Sequence, residues 1–153
     1  MLNHILVPLD ASELAETALP YAEEIVAEGG KITLLMVVEE LETDVVTQED
    51  ASIFLTTVSH TGRERNERAR RYANDYLART IQNITREHIR IETHVLGGNP
   101  ASEIIDYARS GAVDAIVIST HGRTGISRWL MGSVTQKVIN AAPCPVFMIP
   151  PAN

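Results

Sequence analysis

The sequence has one cysteine, two lysines, 5% aromatic residues, no long apolar run and no excess of basic charge. With Cys144 alone, no intrachain disulfide can form, and no group of Cys and His residues has metal-ligand spacing, which fits a reducing compartment. No stretch approaches the roughly 18 apolar residues of a membrane span, and the amino terminus lacks the zones of a signal peptide. A cytoplasmic protein without membrane contact is therefore expected. The net charge of −7 argues against a broad nucleic-acid or membrane footprint, where a basic face supplies most of the affinity. The arginines between Arg63 and Arg71 alternate with Glu64 and Glu67, and we read them as a solvated, ion-paired helix face. What is present is ordinary for a globular protein: 44% hydrophobic and 22% charged residues on 153 positions. That size supports a single domain, 1–153, burying about 70% of its unfolded surface.

The order of elements follows from hydrophobic periodicity. Ile5–Leu9 is a short apolar run that stops at Asp10-Ala11-Ser12, the turn and cap formers of a strand-turn-helix. Leu14, Ala18, Tyr21, Ala22, Ile25 and Val26 then recur at helical spacing, with Gly29-Gly30 as the expected stop. Ile32–Val38 is a continuous β-branched and aliphatic run, as in a strand covered on both faces. Glu39 to Gly62 loses the pattern and is expected to be a long connection. Ala69, Tyr72, Ala73, Tyr76, Leu77 and Ile84 restore helical spacing. Ile89, Ile91, Thr93 and Val95 alternate with Arg90, Glu92 and His94, the period of a strand near a sheet edge. Gly97-Gly98 turns the chain, with Asn99 as cap and Pro100 at the first position of a helix ending at Ser110-Gly111. Ala115–Ile118 is another strand, a helix forms around Val134, Val138 and Ile139, and Val146–Ile149 is the last strand. Five strands alternating with four helices predict an α/β, doubly wound parallel sheet with helices on both faces.

In such a sheet a ligand binds beyond the carboxyl ends of the strands, where their order reverses. The residues after the strands are then Asp10, Val38-Glu39, Gly97-Gly98 and a Gly-rich stretch from Ser119 to Ser133. Gly122, Gly125 and Gly132 allow close backbone approach, and Ser133-Val134-Thr135 opens a helix whose N–H groups suit an anion. Arg123 or Arg128 could add charge. The same stretch also reads as a turn followed by an ordinary Ser-capped helix.

Ser119-x2-Gly122-x9-Gly132-Ser133 resembles the signature of the universal stress protein family. Val7-Pro8-Leu9-Asp10-Ala11-Ser12, Gly98-Asn99-Pro100 and Pro143-Cys144-Pro145-Val146 resemble its other landmarks, in the same order along the chain. Ser119 departs from the pattern, because the nucleotide-binding branch usually has Gly there. The resemblance implies a Rossmann-like sheet of order 3-2-1-4-5 that binds ATP or AMP, with Mg as a possible companion. It implies ribose recognition by Asp10, which could also help hold a divalent ion. Asp10 alternatively caps the first helix in Asp10-x-x-Glu13. Val37 would read the base through its backbone, or else is a plain core residue, and Pro8 would pack on adenine or ribose. Gly122, Arg123, Gly125, Gly132, Ser133, Val134 and Thr135 would surround the phosphates, beside Ser119. The resemblance further implies a two-fold dimer through Val146, Phe147, Met148 and Ile149, where an unprotected edge invites pairing.

His121 lies beside the glycine stretch, but no Ser-His-Asp order or nucleophile elbow accompanies it. Walker-A sequence is absent, and no acid pairs with a phosphate-binding lysine, so a binding protein is expected, with slow ATP hydrolysis or a dimer that binds no nucleotide as the alternatives. A phosphate-accepting receiver domain would need an acidic cluster at the strand ends and a lysine after the fifth strand, and the sequence has neither.

Overall fold

The structure is a computed structural model that describes residues 2–40, 52–120 and 132–150. Its elements in chain order are β1 (Leu2–Leu9), α1 (Glu13–Glu16), α2 (Ala18–Ile25), β2 (Val26–Val38), α3 (Ser52–Ile81), β3 (Arg90–Gly97), α4 (Pro100–Ser110), β4 (Ala115–Ser119), α5 (Ser133–Ala141) and β5 (Val146–Ile149). The sheet has the order β3-β2-β1-β4-β5, and every pairing is parallel. The doubly wound arrangement is thus the one that the alternation of apolar runs predicts.

Successive side chains of a strand point to opposite faces, so a run that is apolar throughout needs cover on both. In β1, Ile5, Val7 and Leu9 enter one core with Ala18 and Ala22 of α2 and Ala73 and Leu77 of α3. Leu6 enters the other, with Ile104 of α4 and Val138 of α5. In β2, Ile32, Leu34 and Met36 go to the first core and Leu35 to the second. β3 lies at an edge, and its alternation reflects one-sided cover.

Four sequence-based expectations are corrected. The first helix is two helices, α1 and α2, because Pro20 supplies no N–H for the Glu16 carbonyl and its ring crowds that turn. Thr17 makes the joint, donating its hydroxyl to the Leu14 carbonyl at 2.6 Å, and Tyr21 ends up 49% exposed instead of inward. Gly29-Gly30 does not stop the helix. Val26 is already extended and pairs with Leu2, and the glycines lie in a bulge where β2 spends five residues against two of β1, from Leu2↔Val26 to His4↔Lys31. Gly29 takes the left-handed φ of 72° there, and its N–H donates to the His88 carbonyl at 2.8 Å. The connection from Glu39 to Gly62 is shorter than expected, since α3 starts at Ser52, and it ends at Ile81, before Ile84. Tyr72 is exposed on it. Finally, among the described residues the arginine cluster makes one ion pair, Arg70 to Glu40, and none with Glu64 or Glu67.

His4 joins three elements under the sheet. Its Nδ1 lies 3.0 Å from the Gly111 carbonyl and its Nε2 2.9 Å from Thr33 Oγ1. A carbonyl only accepts, so Nδ1 carries the proton and Nε2 accepts from the Thr33 hydroxyl. Burial, with the Lys31 charge adding, holds the imidazole below its ordinary 6.5. The unfolded chain therefore takes up this proton first as pH falls. The contribution of His4 to stability is complete above about pH 6.5 and declines below it. Urea unfolding should lose more stability between pH 7.5 and 5 in the wild type than in His4→Gln; equal losses would remove His4 as the source.

Candidate functional site

β1, β2 and β4 end together at the point where the strand order reverses, and a cleft of about 360 Å3 opens beyond them. Pro8, Asp10, Val37, Ser119, Gly132, Ser133, Val134 and Thr135 all line it. Gly122, Arg123 and Gly125, with Arg128 and His121, lie outside the described residues.

Asp10 follows the last residue of β1. Its Oδ1 accepts from the Ser12 backbone N–H at 3.0 Å and from the Ser12 hydroxyl at 2.5 Å. Ser12, not Asp10, caps α1, its hydroxyl oxygen accepting from Ala15 N–H. Between them Ala11 takes the left-handed φ of 64°, a costly conformation for a residue with a Cβ. This turn directs the chain off the sheet and leaves a carboxylate on the cleft wall.

The end of β2 supplies backbone. Gly98 N–H donates to the Val38 carbonyl at 3.0 Å, so that carbonyl faces β3. Strand alternation turns the Val37 carbonyl the other way, toward β1, whose last register pair is Leu9↔Met36. A carbonyl in that place can accept from an exocyclic amino group, while Leu35, Val37, Pro100 and Ile104 give the same wall an apolar surface.

The opposite wall is the start of α5. Gly132 is its N-cap, so Ser133 is the first helical residue instead of the cap, and among the described residues no side chain caps the first turn. N–H groups of an uncapped first turn suit anionic oxygens, with the positive end of the helix behind them. Ser133 is exposed at the cleft. Thr135 is buried, and its hydroxyl donates to the Ser119 carbonyl at 3.2 Å. That single hydrogen is committed to fastening α5 on β4, so Thr135 can offer an anion its backbone N–H but not its hydroxyl. Gly132 N–H donates to the Thr120 carbonyl and Thr120 N–H to Ile149, which ties the same corner to β5. Ser119 lines the cleft with its side chain almost wholly buried.

Sequence reasoning missed Pro100, Ile104, Ile118 and Leu35 as cleft residues. The strand-end rule points to Gly97-Gly98 and stops one residue short of Pro100; Ile104, one turn further, is reached only because α4 lies back over the strand ends. Glu39, which directly follows β2, was within the rule and does line the cleft. Among the described residues no group of three or more His, Cys, Asp or Glu gathers to hold a metal. Burial raises the Cys144 thiol above its ordinary value, which favours its protonated form. No helix among the described residues is long and apolar enough to cross a membrane.

Comparison with known proteins gives one answer from three directions. The model of the universal stress protein family matches residues 1–150. The universal stress protein MJ0577 of Methanocaldococcus jannaschii is 28% identical over 161 positions, covering 100% of this chain and 98% of that protein. Its solved structure has a TM-score of 0.84 at 26% identity, with 100% of this chain and 99% of that one covered. MJ0531 of the same organism matches more locally, 44% identical over 61 residues, or 40% of this chain and 36% of that protein. The universal stress protein from Archaeoglobus fulgidus in complex with dAMP shares the fold, with a TM-score of 0.61 at 22% identity over 97% of this chain and 98% of that one. The chain belongs to the universal stress protein family.

Proposed function

We propose that this chain binds an adenine nucleotide, ATP or AMP, in the cleft beyond β1, β2 and β4, and acts in the cytoplasm as a nucleotide-dependent stress sensor or regulator. The observation that carries this reading is the placement of three different donor and acceptor types around one cleft: a carboxylate at Asp10, a strand-end carbonyl at Val37 and the N–H groups of the helix start at Ser133. They match, in order, ribose hydroxyls, the adenine amino group and phosphate oxygens. Pro8 and the apolar wall suit the faces of the base. A relative of the same fold in complex with dAMP supports the choice of an adenine ligand.

Ser119, Gly122, Arg123, Gly125, Gly132 and Val134 belong to the phosphate end of this reading, and magnesium would arrive with the nucleotide, Asp10 being its protein ligand. β5 is the proposed dimer strand: it is a sheet edge, and Phe147 and Met148 are 41% and 45% exposed on it. Binding and dimer contact, without rapid turnover, would be the output.

Titration calorimetry with ATP and AMP tests the phosphate end. Ser133→Ala should weaken binding by about 1 kcal/mol, roughly fivefold, for the lost hydroxyl contact, and by more if the partner oxygen carries full charge. Unchanged affinity would take Ser133 out of the site.

A further inference from the structure

Gly97 and Gly98 need glycine for different reasons. Gly98 has a φ of 139°, which an ordinary residue rarely adopts. Gly97 has no such demand; the obstacle is a side chain. A Cβ on Gly97 would fall 2.6 Å from Glu40 Oε1 and closer still to the rest of that carboxyl group. A glutamate can usually swing away, but this one is held. Arg70 Nε donates to Glu40 Oε1 at 2.5 Å, and Arg70 Nη1 donates to the Val95 carbonyl of β3 at 3.4 Å. One guanidinium on α3 therefore pins the exit of β2 against the end of β3.

The pinned residue is the neighbour of a cleft residue. Glu39 lines the cleft beside Val37, while Glu40 lies outside it, against Gly97 and Arg70. With Val38 fixed to Gly98, the backbone from Val37 to Glu40 is held at both ends. The geometry points to Arg70, Glu40 and Gly97 as positioning residues, an external clamp that keeps the Val37 carbonyl and Glu39 in the shape that receives the base. This rests on the adenine-nucleotide reading above, and it adds three residues that touch no part of the cleft. The Arg70 and Glu40 side chains are 43% and 32% exposed, so the ion pair acts by direction more than by strength.

The test uses the full chain as wild type, Arg70→Ala, Arg70→Lys, Gly97→Ala, Glu40→Ala and the double variant Gly97→Ala/Glu40→Ala. ATP affinity is measured by calorimetry, and amide hydrogen exchange over residues 37–40 is followed without ligand. Arg70→Ala should weaken binding by up to about fivefold, the range of a partly exposed pair, and Arg70→Lys should recover part of it. Gly97→Ala should cost about as much as Arg70→Ala, up to about fivefold, because the added Cβ displaces the Glu40 carboxyl from Arg70. Adding Glu40→Ala removes the obstructing carboxyl and should bring Gly97→Ala back to the level of Glu40→Ala alone. That recovery is a signature that general destabilisation would not produce. Unchanged ATP affinity in Gly97→Ala, or losses that simply add in the double variant, would overturn the clamp. If the wild type bound no nucleotide, the adenine reading would fail, and exchange would still decide the clamp: faster exchange over 37–40 in Arg70→Ala and Gly97→Ala, reversed in the double variant, supports it, and unaltered exchange refutes it.

Discussion

Asp10→Asn is expected to weaken adenine-nucleotide binding by about ten- to a hundredfold, because a hydrogen bond to a charged group contributes about 1.5–3 kcal/mol. The substitution is chosen for what it keeps. An asparagine has the same shape, and its Oδ1 can still accept from the Ser12 N–H and hydroxyl that hold the turn after β1. The Ser12 cap on α1 stays intact as well. What disappears is the negative charge that the proposed reading assigns to the ribose hydroxyls, so the loss should show in the titration while the unfolding midpoint of the ligand-free protein moves little. Affinity within twofold of wild type would exclude Asp10 from ligand contact; a large fall in the ligand-free midpoint would mean that its role is in the turn.

Leu35→Ala should lower the free energy of unfolding by about 2–5 kcal/mol, a large share of the roughly 5–15 kcal/mol typical of a domain. Leu35 is 1% exposed and packs with Leu6, Ile104 and Ile116 between the sheet and α4. Strands pair on both sides of it, with Pro8 and His94 as register partners, so the surroundings cannot collapse into the space left behind. Leu77→Ala makes the informative comparison. Leu77, also 1% exposed, lies in the core on the opposite face and does not line the cleft. Both variants should lose stability in urea unfolding, and Leu35→Ala alone should also lose nucleotide affinity, since Leu35 belongs to the cleft wall. A loss under about 1 kcal/mol for Leu35→Ala would contradict the packing described here.

The strands were legible because burial on two faces leaves a continuous apolar run, and edge exposure leaves alternation; β1, β2, β3 and β4 each carry one of these marks. The helices were less so. Tyr21 and Tyr72 sit at helical spacing yet are exposed, because an apolar stripe in the sequence is wider than the face that finally meets the sheet. Pro20 announced a break that the surrounding periodicity concealed. The beginning of α3, residues 52–59, is rich in β-branched and hydroxyl residues of weak helix preference, and its apolar residues bunch mostly at Ile53-Phe54-Leu55, so periodicity does not detect it. At the cleft, the strand-end rule reached Asp10, Glu39 and Ser133, since their places follow from topology alone, whereas Val37 was reached only through the family resemblance. Pro100, Ile104 and the commitment of the Thr135 hydroxyl to Ser119 depend on how α4 and α5 lie back on the sheet, which no local pattern encodes. The Arg70–Glu40 pair joins residues thirty positions apart and left no mark at all.

The central claim, an adenine-nucleotide site at the carboxyl ends of the strands, is tested most directly by thermal unfolding without ligand and with AMP, ATP, ATP plus magnesium, and GTP. A ligand at about 100 times its dissociation constant adds roughly 2.7 kcal/mol, a midpoint rise of several degrees for a chain of this length. The account predicts that rise with adenine nucleotides and not with GTP. No rise with any nucleotide would contradict it.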